Sequence, residues 1–114
     1  MHELSLACQM VEEVEAIAER EGATEILSLT LAVGALSGVD REALEFAYPA
    51  AIEGTKLEKT KLHIVEVPAV IRCDDCGAET EPDLLNIICG ACHSVNVEII
   101  DGKDLIINAI ELNT

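Results

Sequence analysis

Four cysteines arranged as two Cys-x-x-Cys pairs constrain this chain of 114 residues more than any other feature of its sequence. The pairs are separated by 12 residues, and their members are Cys73, Cys76, Cys89 and Cys92. Two intervening residues allow both thiolates of a pair to turn toward one tetrahedral ion. Because Cys8 makes the total odd, the cysteines cannot all form disulfides within one chain. The spacing therefore predicts a closed metal site.

Zinc is the metal that this set of donors favours, because a tetrahedral site of four thiolates suits Zn²⁺. Four protein ligands leave no position for a substrate or water, so the predicted role of the zinc is structural. The alternatives are rubredoxin-type iron, which usually lies among aromatic side chains that this segment lacks, and a redox-active dithiol. His93 directly follows Cys92, and it could hydrogen-bond a coordinating sulfur or replace a ligand.

The net charge of the chain restricts the classes of molecule that it can bind, and its apolar runs indicate its cellular location. It carries 22 acidic and 7 basic residues, which gives a formal net charge of −15. Such a surface repels nucleic acid and anionic lipid. No apolar run approaches the length of a membrane span, and the N-terminus does not resemble a signal peptide. We expect a cytoplasmic protein with reduced thiols, which does not bind nucleic acid or membranes.

The spacing of apolar residues predicts an α+β fold in the first half of the chain. Residues 4–21 follow a helical period, and Gly22 supplies a C-terminal stop. Residues 25–35 alternate as a strand, and Asp40 is the predicted N-cap of a second helix that is kinked or restarted at Pro49. The stripe predicted to be buried on the first helix consists of Leu4, Ala7, Val11, Val14 and Ala18. The apolar face predicted for the strand consists of Leu27, Leu29, Leu31 and Val33.

The second half of the chain contains an insertion. Residues 60–67 read as a strand, and residues 69–100 then hold four of the five cysteines, with six acidic residues against one basic residue. Asp101-Gly102 predicts a hairpin turn, from which Leu105 to Leu112 returns as a strand. The predicted domains are therefore 1–68 with 101–114, and an inserted metal-binding domain at 69–100.

The N-terminal tripeptide Met1-His2-Glu3 is a second candidate metal site. The α-amine of Met1 and two nitrogens of His2 can chelate one ion through small contiguous rings, and Glu3 offers a further donor. Nitrogen-rich tetragonal sets of this kind suit Ni²⁺ or Cu²⁺. On spacing alone, the alternative is a solvated terminal histidine without a role. His63 is predicted to be an exposed strand residue and Cys8 a small apolar helix residue, and neither is assigned a function.

Taken together, these residues resemble the HypA/HybF family of hydrogenase and urease maturation nickel metallochaperones. The resemblance spans essentially the whole chain. Besides the two cysteine pairs, its motifs are Met1-His2-Glu3-Leu4-Ser5, Gly34-Ala35-Leu36-Ser37-Gly38-Val39, Phe46-Ala47, Glu53-Gly54-Thr55 and Gly102-x-x-Leu105-x-Ile107-x-x-Ile110-Glu111.

The resemblance implies a nickel-binding domain with two helices on a three-stranded sheet, and an inserted domain resembling a zinc ribbon. It implies Ni²⁺ at His2, with Glu3 and the amine of Met1, and Zn²⁺ at the four paired cysteines. The implied function is delivery of nickel to the large subunit of [NiFe]-hydrogenase, together with a HypB-type GTPase and, on the urease branch, urease maturation proteins. No catalytic activity is expected, and no phosphate-binding loop motif is present. The alternative function is an acidic zinc-ribbon module that binds proteins without transferring nickel.

Overall fold

The computed structural model describes residues 3–114, which form two helices and six strands. The helices are α1 (Glu3–Arg20) and α2 (Arg41–Ile52). The strands are β1 (Glu25–Gly34), β2 (Lys61–Val67), β3 (Val70–Cys73), β4 (Glu79–Thr80), β5 (Val97–Asp101) and β6 (Leu105–Asn113). The strands form two three-stranded sheets, in the orders β2-β1-β6 and β4-β3-β5. The predicted three-stranded sheet accompanied by two helices is confirmed.

Helix α1 ends where the sequence predicts. Gly22 has a φ of 66°, a left-handed conformation that glycine adopts without steric cost. The N–H of Ala23 donates to the carbonyl of Ala18 at 2.9 Å, and the N–H of Gly22 donates to that of Glu19 at 3.1 Å. These two bonds satisfy carbonyls that the last turn of a helix leaves unpaired.

Helix α2 begins at the predicted cap. The Asp40 carboxylate accepts hydrogen bonds from the backbone N–H groups of Glu42 at 2.9 Å and Ala43 at 3.3 Å. These are two of the donors that the first turn leaves without helical partners. The helix includes Pro49 and continues to Ile52. Of the two predicted alternatives, the restart at Pro49 is therefore wrong, and the kink stays a prediction.

The chain divides into two compact units. The first unit consists of Asp40–Val65, Ile106–Thr114 and the chain up to Leu31. Both helices lie in it and pack against each other. Its core is aliphatic, since Val14, Leu29, Leu31, Leu44 and Leu57 are fully buried. The predicted burial of two residues is wrong, because Leu4 is 48% exposed and Leu27 is 38% exposed.

The second unit consists of Ala32–Val39 and Glu66–Leu105. It thus holds all of the segment 69–100, together with flanking chain and the loop that follows β1. That loop belongs to this unit because the N–H of Ala35 donates to Val67 O at 2.9 Å and the N–H of Leu36 donates to Gly102 O at 2.8 Å. The assignment of nickel and zinc binding to separate domains stays a prediction.

The hairpin predicted at Asp101-Gly102 is wrong, because β5 pairs with β3 and β6 pairs with β1. Gly102 has a φ of 77°, and a Cβ built on it would lie 2.5 Å from the carbonyl oxygen of Pro68. A Cβ on Gly34 would in turn lie 2.4 Å from Gly102 O. At this Asp-Gly pair the chain therefore leaves β5 of one sheet and continues to β6 of the other. Within residues 3–114, no helix is long and apolar enough to span a membrane.

Candidate metal centre

The four paired cysteines converge in the second unit. The Sγ atoms of Cys73, Cys76, Cys89 and Cys92 all lie within 4.8 Å of one another. The sulfurs of Cys73 and Cys92 are 3.5 Å apart, and those of Cys76 and Cys89 are 3.6 Å apart. A tetrahedral ion with Zn–S bonds of about 2.3 Å requires sulfurs separated by about 3.8 Å. The cluster therefore has the dimensions that a zinc site needs.

Each Cys-x-x-Cys pair forms the same turn. In the first turn, the N–H groups of Asp75 and Cys76 donate to Cys73 Sγ at 3.3 and 3.4 Å. In the second turn, the N–H groups of Ala91 and Cys92 donate to Cys89 Sγ at the same two distances. In the second turn, these donors favour the thiolate form of Cys89. Strand β3 supplies Cys73, whereas Cys89 follows a stretch without helix or strand.

The residue after each pair differs between the turns. Gly77 and His93 occupy equivalent places, because the N–H of each donates at 3.0 Å to the carbonyl of the first cysteine in its pair. Both have left-handed backbones, with a φ of 75° for Gly77 and 64° for His93. His93 is the one non-glycine residue with positive φ among residues 3–114. A Cβ in this conformation costs about 1–2 kcal/mol.

The pKa values of two thiols in the cluster, Cys89 and Cys92, are shifted in opposite directions. The N–H groups of Cys92 and Ala91 lower the pKa of Cys89 to about 6. The N–H of Ser94 favours the thiolate of Cys92, but the surrounding sulfurs, Cys73 first, outweigh it and raise the Cys92 pKa to about 12. Crowded thiolates repel one another, and a divalent cation removes that repulsion. Metal binding at this cluster therefore displaces protons.

A polar network joins the two turns independently of the sulfurs. The Asp75 carboxylate, on the first turn, accepts hydrogen bonds from Ser94 Oγ and from Asn96 Nδ2, the latter at 3.2 Å. The Asn96 N–H donates to Ser94 Oγ at 3.0 Å, and the Asp74 N–H donates to Asn96 O at 2.8 Å. The network holds the two halves of the site in register.

The predicted residues have different outcomes in the structure. The four cysteines come together as the spacing predicted, whereas Met1 and His2 lie outside the described residues. Glu3 is half-buried in the first turn of α1, and His63 is exposed on β2. Cys8 lies in α1 with its side chain exposed. His93 is exposed beside the cluster, and its interaction with a sulfur stays a prediction.

The network around Asp75 was not predicted from the sequence. A signal for the repeated turn was available, because Cys73 to Ala78 and Cys89 to Ser94 are related by an offset of 16 residues. Aligning the two segments places His93 opposite Gly77, a position where the turn needs a left-handed backbone. No comparable signal identified Asp75, because aspartate, serine and asparagine are common at protein surfaces.

Comparison with known proteins identifies one family. The family model described as "Hydrogenase/urease nickel incorporation, metallochaperone, hypA" matches residues 1–112. The chain is 37% identical to the hydrogenase maturation factor HypA of Nitrosospira multiformis over 114 residues, which cover 100% of this chain and 99% of that protein. It is 40% identical to the protein of the same name from Moorella thermoacetica, over 97% of this chain and 98% of that one.

Solved structures match the fold as well. The solution structure of the Ni metallochaperone HypA from Helicobacter pylori superimposes with a TM-score of 0.74 at 26% sequence identity. The match covers 100% of this chain and 99% of the other. A second solution structure of a HypA protein also gives a TM-score of 0.74, over 98% of this chain.

Proposed function

Because this chain belongs to the HypA family of hydrogenase and urease nickel-incorporation metallochaperones, we propose that it binds Ni²⁺ at its N-terminus and delivers the ion during hydrogenase maturation. The observation that carries the proposal is a family match over residues 1–112 in a chain that begins Met1-His2-Glu3. The recipient is the large subunit of [NiFe]-hydrogenase.

The proposed nickel ligands are the His2 imidazole, the α-amine of Met1 and the Glu3 carboxylate or amide. An α-amine has a pKa of about 8, well below that of a lysine, so it gives up its proton to a metal near neutral pH. Glu3 begins α1 and belongs to its first turn. A chelate at the chain end can exchange its ligands one at a time with those of an acceptor. This property suits a protein whose cargo must leave.

Zn²⁺ is proposed as the resident ion of the cluster formed by Cys73, Cys76, Cys89 and Cys92. The donor chemistry and the sulfur separations support this choice. Four thiolates complete the coordination of zinc, so the ion holds the second unit together and supplies no open catalytic position. Thiolate ligands also require a reducing compartment, which supports the cytoplasm as the site of action.

The proposed partners are a HypB-type GTPase, which would supply or time the nickel, and the hydrogenase large subunit, which would accept it. Urease maturation proteins are the corresponding partners on the other branch of the family. The description of the matched family names both nickel enzymes and supports this pairing. The chain itself is proposed to be a carrier without catalytic activity.

The decisive experiment is a calorimetric Ni²⁺ titration of the zinc-loaded protein. The His2→Ala variant is expected to lose high-affinity binding, because it lacks the imidazole and weakens the chelate. Glu3→Gln is expected to bind more weakly than the wild type. His63→Ala is the matched control, since it removes an exposed histidine of β2 far along the chain from the N-terminus.

Undiminished high-affinity binding in His2→Ala would contradict the proposal and favour the acidic zinc-ribbon module that binds proteins without nickel. A second titration tests the terminal amine. Two residues added before Met1 move the amine away from the imidazole, and nickel affinity should then fall while the zinc content is unchanged. Transfer to an isolated large-subunit precursor, followed by nickel analysis of the separated proteins, tests delivery.

A further inference from the structure

A cavity of about 850 Å³ opens on the first unit, and the proposed nickel and zinc chemistry does not use it. Strands β1, β2 and β6 and the loop before β2 line it. The residues that matter for its chemistry are Ser28, Lys56, Lys59, Lys61, His63 and Glu111. Its size fits several residues of an extended peptide more closely than a single ion.

The cavity gathers cationic groups on a chain of opposite charge. Lys56, Lys59 and Lys61 are three of the seven basic residues in a chain of net charge −15, and they lie within six positions. At physiological ionic strength, charges are screened beyond about 8 Å. A ligand in the cavity therefore interacts chiefly with the charged groups of the lining, and the distant acidic residues act on it weakly.

Two of the three carboxylates that line the cavity are already engaged as hydrogen-bond acceptors. Glu58 accepts from the N–H of Gly54 at 3.1 Å, and Glu111 accepts from Ser28 Oγ at 3.3 Å. Among residues 3–114, by contrast, the three lysines form no ion pair. The groups available to a ligand are thus mainly donors.

The loop that carries Lys56 and Lys59 is held in place by its own buried residues. Leu57 is fully buried, and Thr60 Oγ1 donates to Ile26 O at 2.7 Å. Thr55 Oγ1 donates to Ile52 O at 2.7 Å and accepts from the N–H of Leu57 at 3.1 Å. The backbone is therefore fixed before a ligand arrives, so binding would order only the exposed lysine side chains.

The acidic residues of the lining restrict the class of ligand. Glu25, Glu58 and Glu111 balance the three lysines in formal charge, which disfavours polyanions such as nucleic acid. His63 belongs to no metal-binding group, since the paired cysteines form the one such cluster found among residues 3–114. A chain with separated carboxylates, which can pair with lysines and avoid glutamates, fits this alternation of charge.

The order of the sheet places an edge strand beside the cavity. β2 lies at an edge of the sheet and contributes Lys61 and His63 to the cavity. An edge strand presents backbone N–H and C=O groups that an extended peptide can pair with. We propose that this cavity docks an acidic, extended peptide segment of a partner protein, with its carboxylates paired to Lys56, Lys59 and Lys61.

The test is an NMR titration of the full, zinc-loaded chain, labelled with ¹⁵N. The probe is a blocked eight-residue peptide of alternating Glu and Thr, and the matched peptide has Gln in place of Glu. The Glu peptide should bind saturably and shift the amides of Ser28, Lys59 and His63. Its affinity should fall at higher salt concentration, and the Gln peptide should bind at least about tenfold more weakly.

Paired charge variants separate a specific site from general attraction. The double variant Lys59→Gln/Lys61→Gln should lower affinity about tenfold, as expected for the loss of two exposed ion pairs. Arg20→Gln/Lys103→Gln removes the same charge from exposed positions outside the cavity and should bind like the wild type. An equal loss in both variants would overturn the proposal. Displacement of the peptide by inorganic phosphate at matched ionic strength would show a simple anion site and would also overturn it.

Discussion

The two compact units hold their interiors together by different means. The buried side chains of the first unit include Val14, Leu29, Leu31, Leu44 and Leu57, which are all aliphatic. The buried apolar side chains of the second unit are Val33, Ala69, Ile71, Cys73, Pro82 and Cys89, so two of the six are thiols. A metal must therefore replace, in the second unit, what aliphatic packing supplies in the first.

The difference shows how one short chain can combine a stable scaffold with a unit that depends on its metal. The burial of an aliphatic side chain contributes about 1.5–3 kcal/mol, and the first unit has many of them. Structural zinc contributes about 10–16 kcal/mol in small zinc-binding peptides. The following predictions test this contrast, and the largest expected effect comes first.

Removal of the metal should unfold the second unit and leave the first folded. The zinc contribution equals or exceeds the total stability of a typical domain, about 5–15 kcal/mol, whereas the aliphatic core of the first unit needs no ion. After chelation, hydrogen exchange should show loss of protection at Ile71 and Cys89, with protection retained at Val14 and Leu29. Loss of protection in both units would show that the first also depends on the metal.

Cysteine variants check the same prediction without a chelator. Cys73→Ser removes one ligand of the cluster and should reproduce the loss of protection in the second unit. Cys8→Ser is the matched control, because Cys8 is an exposed residue of α1 outside the cluster. A second unit that stays protected in Cys73→Ser would mean that three ligands suffice.

A substitution that removes buried side-chain atoms from the core of the first unit should destabilise that unit and leave zinc binding by the second unit unchanged. Leu29 is fully buried in β1, and Leu29→Ala should lower the free energy of unfolding of this unit by about 3–4 kcal/mol. Denaturant unfolding followed by helical circular dichroism measures the change, because both helices lie in this unit. Zinc affinity should stay within about twofold of the wild type.

Leu85→Ala makes the same substitution at a residue that is 97% exposed, in the second unit. It should change stability by less than about 0.5 kcal/mol, as is usual at the surface. A large effect of Leu85→Ala, or a small effect of Leu29→Ala, would contradict the burial on which the comparison depends.

Local signals in the sequence predicted the structure better than non-local ones. The end of α1 at Gly22 and the start of α2 at Asp40 each depend on residues within one helical turn, and both predictions are confirmed. The hairpin predicted at Asp101-Gly102 was wrong because an Asp-Gly pair identifies a turn but not the strand with which the following segment pairs. Leu4 and Leu27 were wrongly placed in the core because periodicity identifies a face, and not whether other residues cover its end.

The metal site shows the same difference between local and non-local sequence signals. The spacing of the paired cysteines was sufficient to predict their convergence, because each turn is local and one ion accounts for both turns. The network around Asp75 links residues 19 and 21 positions apart, and no sequence period marks it. Such contacts depend on how the turns face each other once the site has formed.

Breaking that network should weaken zinc binding without abolishing it. Asp75→Ala removes the acceptor shared by Ser94 and Asn96. A hydrogen bond to a charged group contributes about 1.5–3 kcal/mol, and the exposure of Asp75 to solvent places its loss at the lower end of this range. Competition with a fluorescent chelator should therefore show zinc affinity reduced about tenfold. Asp74→Ala is the control, since it removes the same charge one residue away while the Asp74 N–H still donates to Asn96 O. Equal effects of both variants would assign the loss to charge alone.

The smallest effect should come from the residue that distinguishes the two metal-binding turns. His93 has the left-handed backbone that Gly77 adopts without a Cβ, so His93→Gly should stabilise the zinc-loaded second unit by about 0.5–1 kcal/mol and raise its melting temperature by a few degrees. Gly77→Ala should destabilise the unit by about 1 kcal/mol through the backbone alone, because a Cβ at Gly77 would meet no atom within 4 Å. His93→Ala keeps a Cβ and removes the imidazole. If His93→Ala gained as much stability as His93→Gly, the imidazole would be the source of the strain and the equivalence of the two turns would fail.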